Sequence, residues 1–113
     1  MTNTIFFDHD QGISVATSST ATLNSTLWHA NNTNWSGNVI HNNDHTGDPK
    51  FALDGYHLTA GSAAIDKGVN AGVTTDIDGD ARPYGSGYDI GADEYSGTVG
   101  RVYKMFLPLT RQE

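Results

Sequence analysis

Thr4-Ile5-Phe6 and Thr26-Leu27-Trp28 decide the reading of the fold. Each sets a hydroxyl, an aliphatic and an aromatic side chain in that order, and the second triplet follows the first by 22 residues. A spacing of that size is about one coil of a β-solenoid, in which the inward side chains of one coil stack on those of the next. Around the triplets, residues 4–8, 13–17, 20–28 and 38–41 read as short strands bounded by Asn, Asp or Gly turns. None alternates over a long span, so the pattern alone suits a solenoid, a sandwich or a small barrel, and the echo tilts the choice to the solenoid.

Composition agrees with an all-β chain. Thr, Ser, Asn and Gly supply 13, 8, 9 and 13 residues, against two Glu, three Lys and six Leu. Short polar side chains compete for backbone hydrogen bonds and Gly costs entropy in a helix, so strands and turns are favoured. At 113 residues the chain makes one domain. With 6 Lys+Arg against 13 Asp+Glu, a formal charge of -7 argues against nucleic acid, because no cationic surface offsets a polyanion. Cys is absent, which excludes disulfides and thiolate metal sites. No apolar run approaches the length of a membrane-spanning helix. Met1-Thr2-Asn3 lacks the basic and apolar parts of a signal peptide, so an export signal is expected on a longer precursor.

The second half carries five blocks in fixed order: Gly47-Asp48-Pro49-Lys50-Phe51, Gly55-Tyr56-His57-Leu58, Gly61-Ser62-Ala63-Ala64-Ile65-Asp66-Lys67-Gly68, Asp76-Ile77-Asp78-Gly79-Asp80-Ala81-Arg82-Pro83 and Asp89-Ile90-Gly91-Ala92-Asp93-Glu94-Tyr95. Residues 47–95 thereby resemble the C-terminal segment of secreted bacterial right-handed parallel β-helix proteins, the choice-of-anchor Q domain group. Residues 3–41 resemble the coils that precede that segment. The resemblance implies a short right-handed parallel β-helix in an extracellular or cell-surface protein. Members of the group carry many earlier coils, so the partner it implies is either preceding coils of a longer chain or another copy.

Read without the family, Asp48-Pro49 stops strand stacking, since Pro offers no amide hydrogen and holds its predecessor extended. The expected organisation is coils over 1–47, a loop-rich C-terminal cap over 48–96 that closes the end of the stack, and a Gly-hinged tail strand over 97–113.

The acidic cluster is the most chemical feature. Asp76, Asp78, Asp80, Asp89, Asp93 and Glu94 face a single Arg82 within 19 residues. Asp76, Asp78 and Asp80 stand at alternate positions around Gly79, as carboxylates do in oxygen-rich Ca²⁺ loops, although the spacing departs from an EF-hand. The competing and favoured reading is a structural ion pair of Arg82 with Asp89 or Glu94. No cofactor is required, and Ca²⁺ is the one candidate. His41 and His45 are separated by a turn-like Asn42-Asn43-Asp44, while His9, His29 and His57 are scattered, which disfavours a transition-metal site. Among the aromatics, Trp35 and Tyr84 have polar neighbours and are the candidates for carbohydrate contact. No hydroxyl in the run 16–22 has an adjacent base, so nucleophilic catalysis is not supported.

After Gly97 and Gly100, the residues Val102, Tyr103, Met105, Phe106 and Leu107 make a β-prone segment able to add to an uncovered strand edge of a neighbouring molecule. The expected function is a non-catalytic structural module that assembles head to tail through its open coil end and this strand. The alternatives are a glycan-binding module of a surface protein and, last, a fragment of a polysaccharide-degrading enzyme, for which six scattered cations offer little.

Overall fold

The computed structural model describes residues 1–97. Among them there is no helix, and the strands are β1 (Thr2–Phe7), β2 (Gln11–Ser14), β3 (Ala21–His29), β4 (Thr33–Ser36) and β5 (Val39–Thr46). They form two parallel sheets, one of three strands in the order β1-β3-β5 and one of two, β2-β4.

The sequence echo is strand pairing. Thr4 lies beside Thr26, Ile5 beside Leu27 and Phe6 beside Trp28. The same 22-residue step sets β2 against β4, with Ile13 beside Trp35. Like residues therefore stack: the rings of Phe6 and Trp28 lie 4.8 Å apart and nearly parallel, and Phe7 stacks on His29 at 5.8 Å. The next step, from β3 to β5, is 18 residues, with Ala21 beside Val39. It is shorter because two residues, Gly37 and Asn38, join β4 to β5 where residues 15–20 join β2 to β3.

The corners stack as well. Asn3, Ser25 and Asn43 occupy one register position on successive strands, and all three are left-handed, with φ of 53°, 58° and 57°. A left-handed residue resets the alternation of side chains along a strand. Leu23 and Trp28 thus reach the same core although five residues apart, joining Phe6, Ile13 and Val39 between the sheets. Leu27 turns to the opposite face. Asp8 and Ala30 form a second left-handed rank 22 residues apart, tied by Asp8 N–H to the His29 carbonyl and by Asn31, whose side chain accepts from His9 N–H and donates to the Phe6 carbonyl.

One expectation is corrected, and two parts left open by the pattern are filled in. Thr33–Ser36, a stretch to which the sequence pattern assigns no element, is a strand, because pairing with β2 supplies its backbone partners. Asn42-Asn43-Asp44 lies inside β5 rather than in a turn, its polar side chains held on the exposed side of an edge strand. The loop-rich segment expected as a cap over 48–96 packs beside the strands. It lies on the outward face of the three-stranded sheet, where Ile5 and Leu27 of β1 and β3 pack against Phe51, Leu58, Ala64, Ile65 and Ile90. The physical cause is the alternation reset, which leaves that face apolar. Complete burial of Leu27, Leu58 and Ile90 contributes about 1.5–3 kcal/mol per side chain.

Asn3 fastens this layer. Its amide donates to the Val69 carbonyl at 2.8 Å and accepts from Val69 N–H at 2.9 Å, while its own carbonyl accepts from Gly91 N–H. The segment itself has little regular structure, only isolated antiparallel bridges at Phe51–Leu58, Thr75–Ala81 and Tyr84–Gly87. Backbone bonds between its loops, such as Ile90 N–H to the Ala64 carbonyl and Ile77 N–H to the Ala92 carbonyl, are joined by side chains bonding to backbone, most of them acids.

Candidate functional site

Asp76 begins the acidic loop and builds it. Its Oδ1 accepts from the amides of Asp78 and Asp80, both at 2.9 Å, and Gly79 N–H donates to its carbonyl. An Asp at the first position and a Gly at the fourth are the residues a type I turn selects. Its Oδ2 accepts from Glu94 N–H at 2.8 Å, so one carboxylate joins the loop to residues 92–95.

His57 stands at the centre of a second group. It is buried, with Nδ1 bonded to Asp54 Oδ2 and Nε2 at 2.6 Å from Asp78 Oδ2. Burial works against the imidazolium, but the two carboxylates prevail and raise its pKa above the ordinary histidine value. Burial likewise tends to raise Asp54, yet the amides of Tyr56 and His57 and the imidazole hold it down at about 2. Asp93 is buried beside them and accepts from Leu58 N–H. Desolvation, opposed by that amide and by His57 but reinforced by Asp76, lifts Asp93 to about 6.

A third group contains the cation. Arg82 Nε lies 3.2 Å from Glu94 Oε1, an ion pair without the alignment of a hydrogen bond, and the guanidinium donates to the Gly91 carbonyl at 2.6 Å. Glu94 is buried and also accepts from the amides of Tyr84 and Asp89. Asp89 does not meet Arg82. Wholly buried, it receives the amides of Asp66 and Tyr95, and desolvation, with the charges of Glu94 and Asp66, lifts it to about 7 against the pull of those amides.

The candidate Ca²⁺ residues converge: Asp76, Asp78 and Asp80 each present an oxygen, all within 4.8 Å of one another. A ring nitrogen of His57 and an oxygen each of Asp78 and Asp93 form a second such group, with Asp78 shared. Asp76 spends both oxygens on backbone amides, so its carboxylate has an architectural role whether or not a cation is bound.

The carbohydrate candidates stand in different surroundings. Trp35 on β4, 41% exposed, packs against Trp28 and His41. Tyr84, 55% exposed, lines a cleft of about 230 Å³ with Asp80, Ala81, Glu94 and Ser96. A second cleft, of about 310 Å³, lies beside β1 between Ile5, Phe51 and Tyr56. Val102, Tyr103, Met105, Phe106 and Leu107 lie outside the described residues.

Sequence reasoning put Asp93 in the acidic cluster and left His57 among scattered histidines, and it missed Asp54 and the grouping of the three. The available signal was Asp54-Gly55, a turn dipeptide that brings the histidine three positions on back over the carboxylate. Comparison with family models, curated proteins and solved structures gave no match.

Proposed function

We propose that the chain is a non-catalytic structural module, the coils of a short right-handed parallel β-helix with a loop-rich flank, working at the surface of a bacterial cell or outside it. In this reading it assembles head to tail, through its open coil end and its C-terminal strand, or continues the coils of a longer chain. One observation carries the proposal: the 22-residue parallel register relates β1 to β3 and β2 to β4 at once, while β1 and β2 each have a partner on one side only among the described residues. Unpaired edges of this kind are templates for a further strand. A heterologous contact that does not close yields a filament.

The acidic groups support a structural rather than a chemical role. His57 has both ring nitrogens engaged by carboxylates, and Asp76, Asp89 and Glu94 use their oxygens to hold backbone amides. Ca²⁺ on Asp76, Asp78 and Asp80 is the accessory element of the proposal, favoured by their convergence. A rise in melting temperature with millimolar Ca²⁺ that a chelator reverses supports it, and an unchanged temperature removes it.

Electron microscopy and light scattering over a concentration series test the main reading. Filaments or growing oligomers are expected; a monomer at every concentration overturns self-assembly. A glycan-binding module is the second reading, favoured by the exposed Trp35 ring, and a glycan array with Trp35→Ala as control decides it.

A further inference from the structure

The third turn of the stack is incomplete. β5 extends the first sheet to three strands, but the second sheet stops at β4, and among the described residues nothing pairs with the outer edge of β4. Under that edge lies an aromatic group: Trp35 with its ring 4.2 Å from His41 and 5.4 Å from Trp28. Trp28 is buried, yet its indole Nε1–H has no hydrogen-bond partner among the described residues, nor has His41 Nε2. A strand laid along β4 would pair its edge and cover the indoles.

The sequence contains one segment suited to the place. Val102-Tyr103-Lys104-Met105-Phe106-Leu107 is β-prone, longer than the four residues of β2 or β4, and ended by Pro108, which cannot continue a ladder. Its charge is complementary. Arg101, Lys104 and Arg111 are half of the six cations, and with Glu113 they give residues 98–113 a charge of +2, leaving -9 on residues 1–97.

Reach decides whose segment it is. Ser96 lines the cleft with Asp80 and Glu94, in the layer on the outward face of the three-stranded sheet. β4 lies across that sheet, on the side of the Phe6, Leu23 and Trp28 core. Two layer spacings of about 10 Å separate the layer from the second sheet. The five steps from Gly97 to Val102 span at most about 18 Å, and the path must go round the stack.

We propose that the open edge of β4 is completed by Val102–Leu107 of a second copy, added as the third strand of the second sheet over Trp35. The inference rests on the self-assembling reading above, keeps its C-terminal strand, and gives that strand the edge of β4 as acceptor in place of the open edges of β1 and β2.

Trp28 and Trp35 are the only tryptophans, so acrylamide quenching of the full chain reads the covering of Trp35 directly. With rising concentration the wild type is expected to lose quenching and shift its emission to shorter wavelength as light scattering grows. The variant V102D/F106D keeps the exposed spectrum and stays monomeric. Assembly with unchanged tryptophan quenching overturns this inference and leaves the assembly reading intact. Protection that is independent of concentration, and lost in the variant, places the strand on its own copy and overturns the second-copy assignment. A wild type that is monomeric throughout, with Trp35 exposed, removes both.

Discussion

Replacing Arg82 with Met asks the most of the acidic layer. The Arg82 side chain is 8% exposed and Glu94 beneath it 0%, with 3.2 Å between Nε and Oε1. In Arg82→Met the apolar stem is kept, but the Gly91 carbonyl loses its charged donor and Glu94 is left as a buried carboxylate facing only the amides of Tyr84 and Asp89. A charged hydrogen bond contributes about 1.5–3 kcal/mol, and stranding one member of a buried pair costs about 3–5 kcal/mol. The two overlap, so a loss of about 3–4 kcal/mol is expected, which at about 4 °C per kcal/mol lowers the melting temperature by about 12–16 °C. Urea denaturation followed by circular dichroism measures it. In a Glu94→Gln background the same change should cost about 1–2 kcal/mol, since no charge is stranded. An Arg82→Met protein within about 1 kcal/mol of wild type refutes the view that this pair closes the loops.

Other predictions address the remaining parts. Asp89 binds its proton more tightly folded than unfolded, so the stability it adds is full below its unfolded pKa of 3.8 and is lost as pH rises through about 7, on the order of 4 kcal/mol; melting curves from pH 4 to 8 should show that fall, and Asp89→Asn should flatten it. Leu27→Ala opens a cavity between β3 and the outer layer and should cost about 2–5 kcal/mol by chemical denaturation. Gly37→Ala should destabilise more than an ordinary helix or loop change, because φ is +86° and the new Cβ would lie 2.2 Å from the Val15 carbonyl oxygen; a soluble variant melting like the wild type contradicts that corner. Ser25→Gly should raise the melting temperature, since it relieves a left-handed φ of 58° and deletes a buried hydroxyl without a partner.

The stacking was legible where neighbouring strands repeat their chemistry. Thr4-Ile5-Phe6 announces Thr26-Leu27-Trp28 because paired positions in a parallel stack share an environment. β4 and the later half of β5 were hidden, since an edge strand needs backbone partners more than apolar side chains, and Thr33-Asn34-Trp35-Ser36 has the composition of a turn. The position of the loop-rich layer was hidden for another reason. It follows from the left-handed rank at Asn3, Ser25 and Asn43, which turns Ile5 and Leu27 outward, and no periodicity records a dihedral angle. In the acidic layer, the alternate carboxylates around Gly79 were visible as a loop. His57 was not, because its partner Asp78 lies 21 residues away and only the folded segment joins them.

The central claim is the 22-residue parallel register. Nuclear Overhauser spectroscopy on isotopically labelled protein reads it directly, through backbone contacts between strands. The account predicts Hα–HN cross-peaks linking residues near Thr4 to Thr26, Ile5 to Leu27 and Ile13 to Trp35, all with the same separation. Cross-peaks whose partners run in opposite directions along the chain, the mark of antiparallel hairpins, would contradict it.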